Sequence, residues 1–319
     1  MIVAAATLWG FSATMAKVLQ NLGLTTIVIV QSRVLWSAVI LLLVFGTTRR
    51  SILRVPAREL WRFALLGVIG FAGANFTYYA VIKESTVATG ILLQYTAPVF
   101  VMIYAVKTGM ERFSSLKLLA ALVSLAGCFL AVGQYDPGAV ALTPSVLLTG
   151  AASVFCFAFL TVYSRRLIAH YRTWTVTVYA VVFATIFWFL INPPWRMVTQ
   201  VMAPELWIAL VVLAVISVLL PHALFIAGLR TIDASRAIII STLEPVVAIV
   251  SAAVVLNEHL SSVQVLGASM VVLAVVGLNA SPEGTGLIVA APCGGGWPWP
   301  LARDGSNGFN ELLSGARVT

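Results

Sequence analysis

Glu244 stands inside an apolar run, Arg236 to Ser262 (RAIIISTLEPVVAIVSAAVVLNEHLSS), and Pro245 follows it. Counted from the basic end of that run, the carboxylate lies about ten residues in. At 1.5 Å per residue that is roughly 15 Å, near the centre of an approximately 30 Å hydrocarbon core. A charge at that depth costs at least a few kcal/mol, so Glu244 is expected to line a cavity and bind a substrate amine or a proton. The plain alternative is a protonated glutamate hydrogen-bonded between helices. Pro245 removes one backbone donor and frees an acceptor carbonyl one turn earlier. An earlier stretch, Ala88 to Ser115, repeats the pattern with Pro98 in its middle and Glu111 in its closing turn. The two prolines read as paired kinks that shape a cavity or bend as gates, or as kinks satisfied by neighbouring helices.

Other side chains share this potential. His222 follows Pro221 at a depth near that of Glu244, and a His–Glu contact would permit proton coupling. The bland reading is a packed, hydrogen-bonded histidine. Lys17 and Arg33 fall toward the outer ends of their runs, where each snorkels to the interface or lines an outer vestibule that attracts carboxylates. Glu84 is their candidate structural partner. Glu111, Glu258 and the Ser-Ser pairs that follow them read as turn and N-cap chemistry. Cys128, Cys156 and Cys293 lack metal-ligand spacing, and the first two lie in apolar runs as small packing residues.

The elements that must hold these groups are membrane helices. The 319 residues are 61% hydrophobic and 9% charged, with a mean hydropathy of +1.01. A soluble domain carries about 25% charged residues, so this chain cannot cover itself with a water-compatible surface. The net charge of +8 would point to nucleic acid in a soluble protein, but here the basic residues sit in short loops between apolar runs. Candidate spans are 2–20, 26–46, 60–82, 86–107, 114–133, 145–164, 173–191, 205–228, 235–256 and 261–279. Met1 opens into the first span without a basic leader, which reads as a retained helix rather than a signal peptide. Arg49, Arg50, Arg54 and Arg58 fill the loop after span 2. Lys107, Arg112 and Lys117 flank the next even loop, Arg165, Arg166 and Arg172 follow span 6, and Arg230 and Arg236 follow span 8. The alternate loops hold few cations, so both termini are expected in the cytoplasm.

Sliding the chain by 147 residues lays Tyr78–Cys128 on Phe225–Val275 without a gap. Pro98 meets Pro245, Glu111 meets Glu258, and Ser114-Ser115 meets Ser261-Ser262, while Asn75 meets His222. A five-span unit is odd, so its second copy must enter the membrane from the other side. Inverted repeats of this kind mark secondary transporters, with a substrate site near the midplane between the halves. The expected organisation is a first five-helix repeat over 1–133, a linker over 134–144 and a second repeat over 145–279. Residues 280–319, rich in Gly and Pro, read as a disordered cytoplasmic tail with no assigned function.

LLQYTAPVF (92–100), GMERFSS (109–115), LEPVVAIVSAAVVLNEHLS (243–261) and Leu8-Trp9-Gly10 together resemble the drug/metabolite transporter superfamily, and within it the EamA-type family. Arg33 resembles an arginine often found in that family's second helix. Met110-Glu111 and Asn257-Glu258 depart from the family's frequent Gly-Glu, and Phe155-Cys156-Phe157-Ala158 stands where Trp-Ala is common. The resemblance implies a ten-helix, all-α basket around a central cavity, with alternating access to small metabolites such as amino acids. Trp9, Tyr78, Tyr79, Gln94 and Tyr95 would then face the cavity and suit a small amphipathic molecule. The same aromatics also serve as packing or interface anchors. The expected activity is secondary transport, with export its direction and proton coupling through Glu244 or His222 weighed against facilitated exchange. The chain has no GxxxxGK[ST], HExxH or GxSxG, so ATP, a metal, a cofactor or a membrane-embedded hydrolase finds no motif here. A channel or a non-transporting scaffold is the remaining alternative. The expected location is a bacterial inner membrane.

Overall fold

A computed structural model describes residues 1–85, 87–133, 143–199, 203–256 and 259–280. Ten helices among them are long and apolar enough to cross a membrane: α1 (Ile2–Asn21), α2 (Thr26–Thr48), α3 (Ala57–Glu84), α4 (Thr89–Lys107), α5 (Ser115–Val132), α6 (Pro144–Ile168), α7 (Thr173–Ile191), α8 (Pro204–Gly228), α9 (Ala234–Leu256) and α10 (Ser262–Ala280). Their ends differ from the expected spans by a few residues, most at the starts of α3 and α4 and the end of α6. Helices satisfy their backbone groups internally, which hydrocarbon demands of any single pass. Large aliphatic side chains point outward, with Leu148 73%, Leu190 80% and Val254 75% exposed, a surface suited to lipid rather than water. The described residues contain no strand. Positions 134–142 of the linker, Glu258, and the tail from 281 onward with Cys293 lie outside them.

Local chemistry sets the helix starts. The Ser114 hydroxyl accepts the Lys117 N–H at 3.4 Å at the head of α5. Thr143 caps α6, whose first residue is Pro144, where a missing N–H costs nothing. Ser261 and Gln264 form a reciprocal capping box before α10, at 3.2 and 2.9 Å.

The packing pattern has a symmetry of its own. α1 packs on α8 and α9, and α6 packs on α3 and α4; α2 packs on α7 and α8, and α7 packs on α2 and α3. α4 also packs on α9, and α5 packs on both α10 and α9. Exchanging each helix n with helix n+5 leaves these pairs unchanged except α5 with α9, whose counterpart would be α4 with α10. Two of the pairs come close because a side chain is missing. A Cβ on Gly10 of α1 would lie 2.5 Å from the Glu244 carbonyl oxygen and 2.7 Å from Val247 Cβ on α9. A Cβ on Gly127 of α5 would lie 2.7 Å from the Gly267 carbonyl oxygen on α10. Small residues at such crossings are the usual device for close helix approach in membranes.

Four helices are irregular inside the membrane, again in matched pairs. α4 is interrupted at Tyr95-Thr96 and α9 at Thr242, two to three residues before Pro98 and Pro245. α3 has π-helical turns over Leu66–Gly73 and α8 over Val215–Leu219. The offset of 147 residues carries the break in α4 onto the break in α9, and places the π turns of α8 within the register of those in α3. The prolines account for the breaks, because Pro98 cannot donate to the Gln94 carbonyl nor Pro245 to that of Ser241. The expected kinks are therefore breaks, with a new helix start inside each span.

Candidate functional site

The two breaks face each other. Tyr95 lies in the break of α4, and its hydroxyl donates to Glu244 Oε2 at 2.9 Å, across 149 residues of sequence. Glu244 sits in the first turn of the half-helix that begins at Leu243, where the positive end of the helix dipole favours a carboxylate. Its symmetry counterpart is Ala97, so only one of the two breaks carries an acid.

The π turns bring in a second group. Pro221 has no N–H for the Ser217 carbonyl one turn back, and Trp9 Nε1 takes that acceptor at 3.1 Å. This fastens α1 to α8 beside His222. The imidazole bonds through Nδ1 to the Val218 carbonyl oxygen at 3.0 Å. It packs against Phe71 at 4.2 Å and edge-on to Trp9 at 5.0 Å between ring centroids. The anticipated His222–Glu244 contact is not among the described hydrogen bonds. The acid takes Tyr95 as its partner, and the imidazole is held by its own helix and by two aromatic rings. π turns occur often at functional sites, because they displace side chains from the regular helical register.

Arg33 corrects an expectation. It was expected in an outer vestibule or at the interface, with Glu84 nearby. Glu84 is exposed at the end of α3, whereas Arg33 Nη2 donates to Asn75 Oδ1 at 2.5 Å. Asn75 in turn donates through Nδ2 to the Phe71 carbonyl oxygen at 2.9 Å. The side chain of Arg33 is long enough to reach inward from a position near the helix end, and α2 turns that face toward α3. Arg33 Nε is buried and has no hydrogen-bond partner among the described residues. A buried guanidinium donor of this kind is poised for an anionic oxygen.

The remaining candidates divide. Gln94 Nε2 donates to Ser153 Oγ on α6 at 3.1 Å, and the Tyr95 ring lies 6.5 Å from Phe157. Tyr78 and Tyr79 meet edge-on at 5.5 Å, and Gly90 lets α4 approach Tyr78 closely. Lys17 is exposed one turn from the end of α1. Arg33, Asn75, Gln94, His222 and Glu244 are all part-exposed although they lie within spans and bond inward. Ser153, Phe71, Phe157 and Ser217 were not anticipated. Only Ser217 had a signal, since Pro221 necessarily frees its carbonyl.

The arrangement offers an acceptor, a separate cationic donor and an aromatic lining within one interior region. Such a set can hold a small molecule by its two polar ends, or take up a proton at the acid. Known proteins place the chain. A family profile described as the EamA-like transporter family matches residues 1–133 and again 144–280. An uncharacterized inner membrane transporter, YicL, of Salmonella typhimurium is 28% identical over 251 residues, which cover 76% of this chain and 82% of that protein. An uncharacterized transporter of Archaeoglobus fulgidus is 28% identical over 213 residues, 66% of this chain and 74% of the relative. One solved crystal structure shares the fold with a TM-score of 0.67 at 20% identity, covering 86% of this chain and 96% of its own.

Proposed function

Because the chain belongs to the EamA-like transporter family, we propose that it exports small polar metabolites such as amino acids by alternating access. The site would be the interior region between the helix breaks. The single observation that carries this reading is the Tyr95–Glu244 hydrogen bond at 2.9 Å between two broken helices. It sets an acid where the halves meet, near the expected midplane. Glu244 would accept a substrate ammonium or a proton. Arg33, held by Asn75, would take the opposite, carboxylate end. Trp9, Tyr78, Tyr79 and Gln94 would line the wall, with Lys17 at the outer mouth and His222 holding α8 against α1. Pro98 and Pro245 would supply the bends on which the halves rock.

The near-symmetry of the packing and the matched irregularities support two repeats. With five spans in each, the copies enter from opposite sides. The arginine-rich even loops support cytoplasmic termini, and the similarity to the Salmonella inner membrane transporter supports a bacterial inner membrane. Energy would come from a proton gradient through Glu244, with facilitated exchange as the rival.

Two measurements test the proposal. An untargeted comparison of metabolites outside cells with and without the protein should show amino acids accumulating only when it is present. Purified protein in liposomes should then give saturable counterflow of the accumulating compound. Flux without saturation would indicate a channel. No difference outside the cells would leave export without support.

A further inference from the structure

Far from the helix breaks, a second cluster of charge joins the two halves on one face of the membrane. Glu111 ends the turn between α4 and α5, and its side chain is 2% exposed. Lys117, on the first turn of α5, is 9% exposed and places Nζ 3.0 Å from Glu111 Oε2. The same ammonium reaches Asp233 Oδ2 at 2.8 Å, in the connection between α8 and α9. Arg165 at the end of α6 closes the chain, with Nη2 3.4 Å from Asp233 Oδ1 and Nη1 donating to the Ile232 carbonyl oxygen. Glu111 also accepts the backbone N–H of Ser235 at 3.2 Å, together with its hydroxyl. The acid that sequence alone assigned to its own turn therefore caps α9, in the other half.

We infer that the chain Glu111–Lys117–Asp233–Arg165 is a breakable latch between the halves, holding one mouth of the transport path shut and opening in each cycle. The inference rests on the transporter reading. Two observations carry it. First, the contacts cross between halves: Glu111 and Lys117 precede residue 133, while Arg165, Asp233 and Ser235 follow residue 144. Second, the repeat does not copy the bridging pair: the offset sets Gln264 against Lys117 and Thr86 against Asp233. Gln264 is engaged locally in the cap of α10.

Charge is suited to a seal that must open. Each ion in a buried pair has lost hydration, and opening restores it, so the separated state is not prohibitively costly. An apolar seal would instead expose its surface to water.

The test is a distance measurement that does not require flux. Nitroxide labels on Arg112→Cys and His170→Cys, both exposed positions on this face, flank the latch from opposite halves. The background lacks Cys128, Cys156 and Cys293. In liposomes the parent protein should show one short distance distribution. Asp233→Asn and Lys117→Gln should add a longer component, raising the long-to-short ratio about tenfold, the scale of one charge-assisted bond. Asp233→Glu, which keeps the charge, should resemble the parent. An unchanged distribution in both neutral variants would overturn the latch.

A second arm covers variants that fail to fold. Oxidation of Glu111→Cys/Ser235→Cys should stop counterflow, and reduction should restore it. Continued counterflow in the crosslinked protein would equally overturn the inference. If the parent gives no counterflow while the distances respond as expected, the transport reading fails and the latch stands.

Discussion

Replacing Gly10 with alanine should destabilise the protein and weaken transport, although alanine is the better helix former. The added Cβ would lie 2.5 Å from the Glu244 carbonyl oxygen, 2.7 Å from Val247 Cβ and 2.9 Å from Ala248 N. None of these is the tip of a flexible side chain, so α1 must withdraw from α9 by roughly 1 Å to restore ordinary packing. One turn on, Thr14 holds the same interface through Ser251 Oγ at 2.6 Å and the Ala248 carbonyl oxygen at 3.3 Å, and withdrawal stretches both. Overpacking costs about 1–3 kcal/mol and a lost hydrogen bond about 1 kcal/mol. Alanine's helix propensity returns up to about 1 kcal/mol. The net loss is about 1–3 kcal/mol. Gly46→Ala is the matched control, because a Cβ there meets nothing within 4 Å, and it should be neutral or mildly stabilising. Thermal unfolding in detergent, followed by tryptophan fluorescence, should place Gly10→Ala several degrees below Gly46→Ala. Equal midpoints would refute the close approach of α1 to the acid-bearing break.

Three further outcomes follow from the same contacts. Tyr95→Phe removes the donor to Glu244, and should lower stability by about 1–3 kcal/mol and reduce the counterflow rate. The thermal midpoint and the initial rate check it. Gln31 and Asn192 exchange hydrogen bonds of 2.6 Å each way between α2 and the end of α7. Gln31→Leu and Asn192→Leu should each cost about 1–3 kcal/mol, while the double variant costs less than their sum, as a double-mutant cycle in denaturant would show. If the basic even loops set the orientation as proposed, a fluorescent-protein fusion after residue 280 should fluoresce and an alkaline phosphatase fusion at the same place should be inactive.

The ten spans were legible because hydrophobicity and charge separate cleanly in this chain, and hydrocarbon admits few alternatives to helix. The breaks at Tyr95-Thr96 and Thr242 were legible through Pro98 and Pro245, whose missing N–H groups act wherever they stand. The π turns over Leu66–Gly73 and Val215–Leu219 were not, since no residue type compels an extra residue in a turn. Arg33 was misplaced because spacing along a helix fixes depth but not which neighbour a long side chain reaches. Asn75, 42 residues away, decides that. Glu111 was read as local turn chemistry for the same reason, since its partners Ser235 and, through Lys117, Asp233 lie more than 110 residues on. His222 was expected beside the acid, yet its partners are Val218, Trp9 and Phe71. Which way a side chain faces was not readable.

The role of Glu244 is decided most directly by Glu244→Gln in liposomes, assayed in parallel for counterflow and for uptake driven by a pH gradient. Glutamine keeps an acceptor for the Tyr95 hydroxyl, so the junction between the breaks should fold as before. pH-driven uptake should be lost. Counterflow should survive if the carboxylate carries a proton and fail if it holds the substrate. Both activities unchanged would contradict the account and leave Glu244 a structural residue.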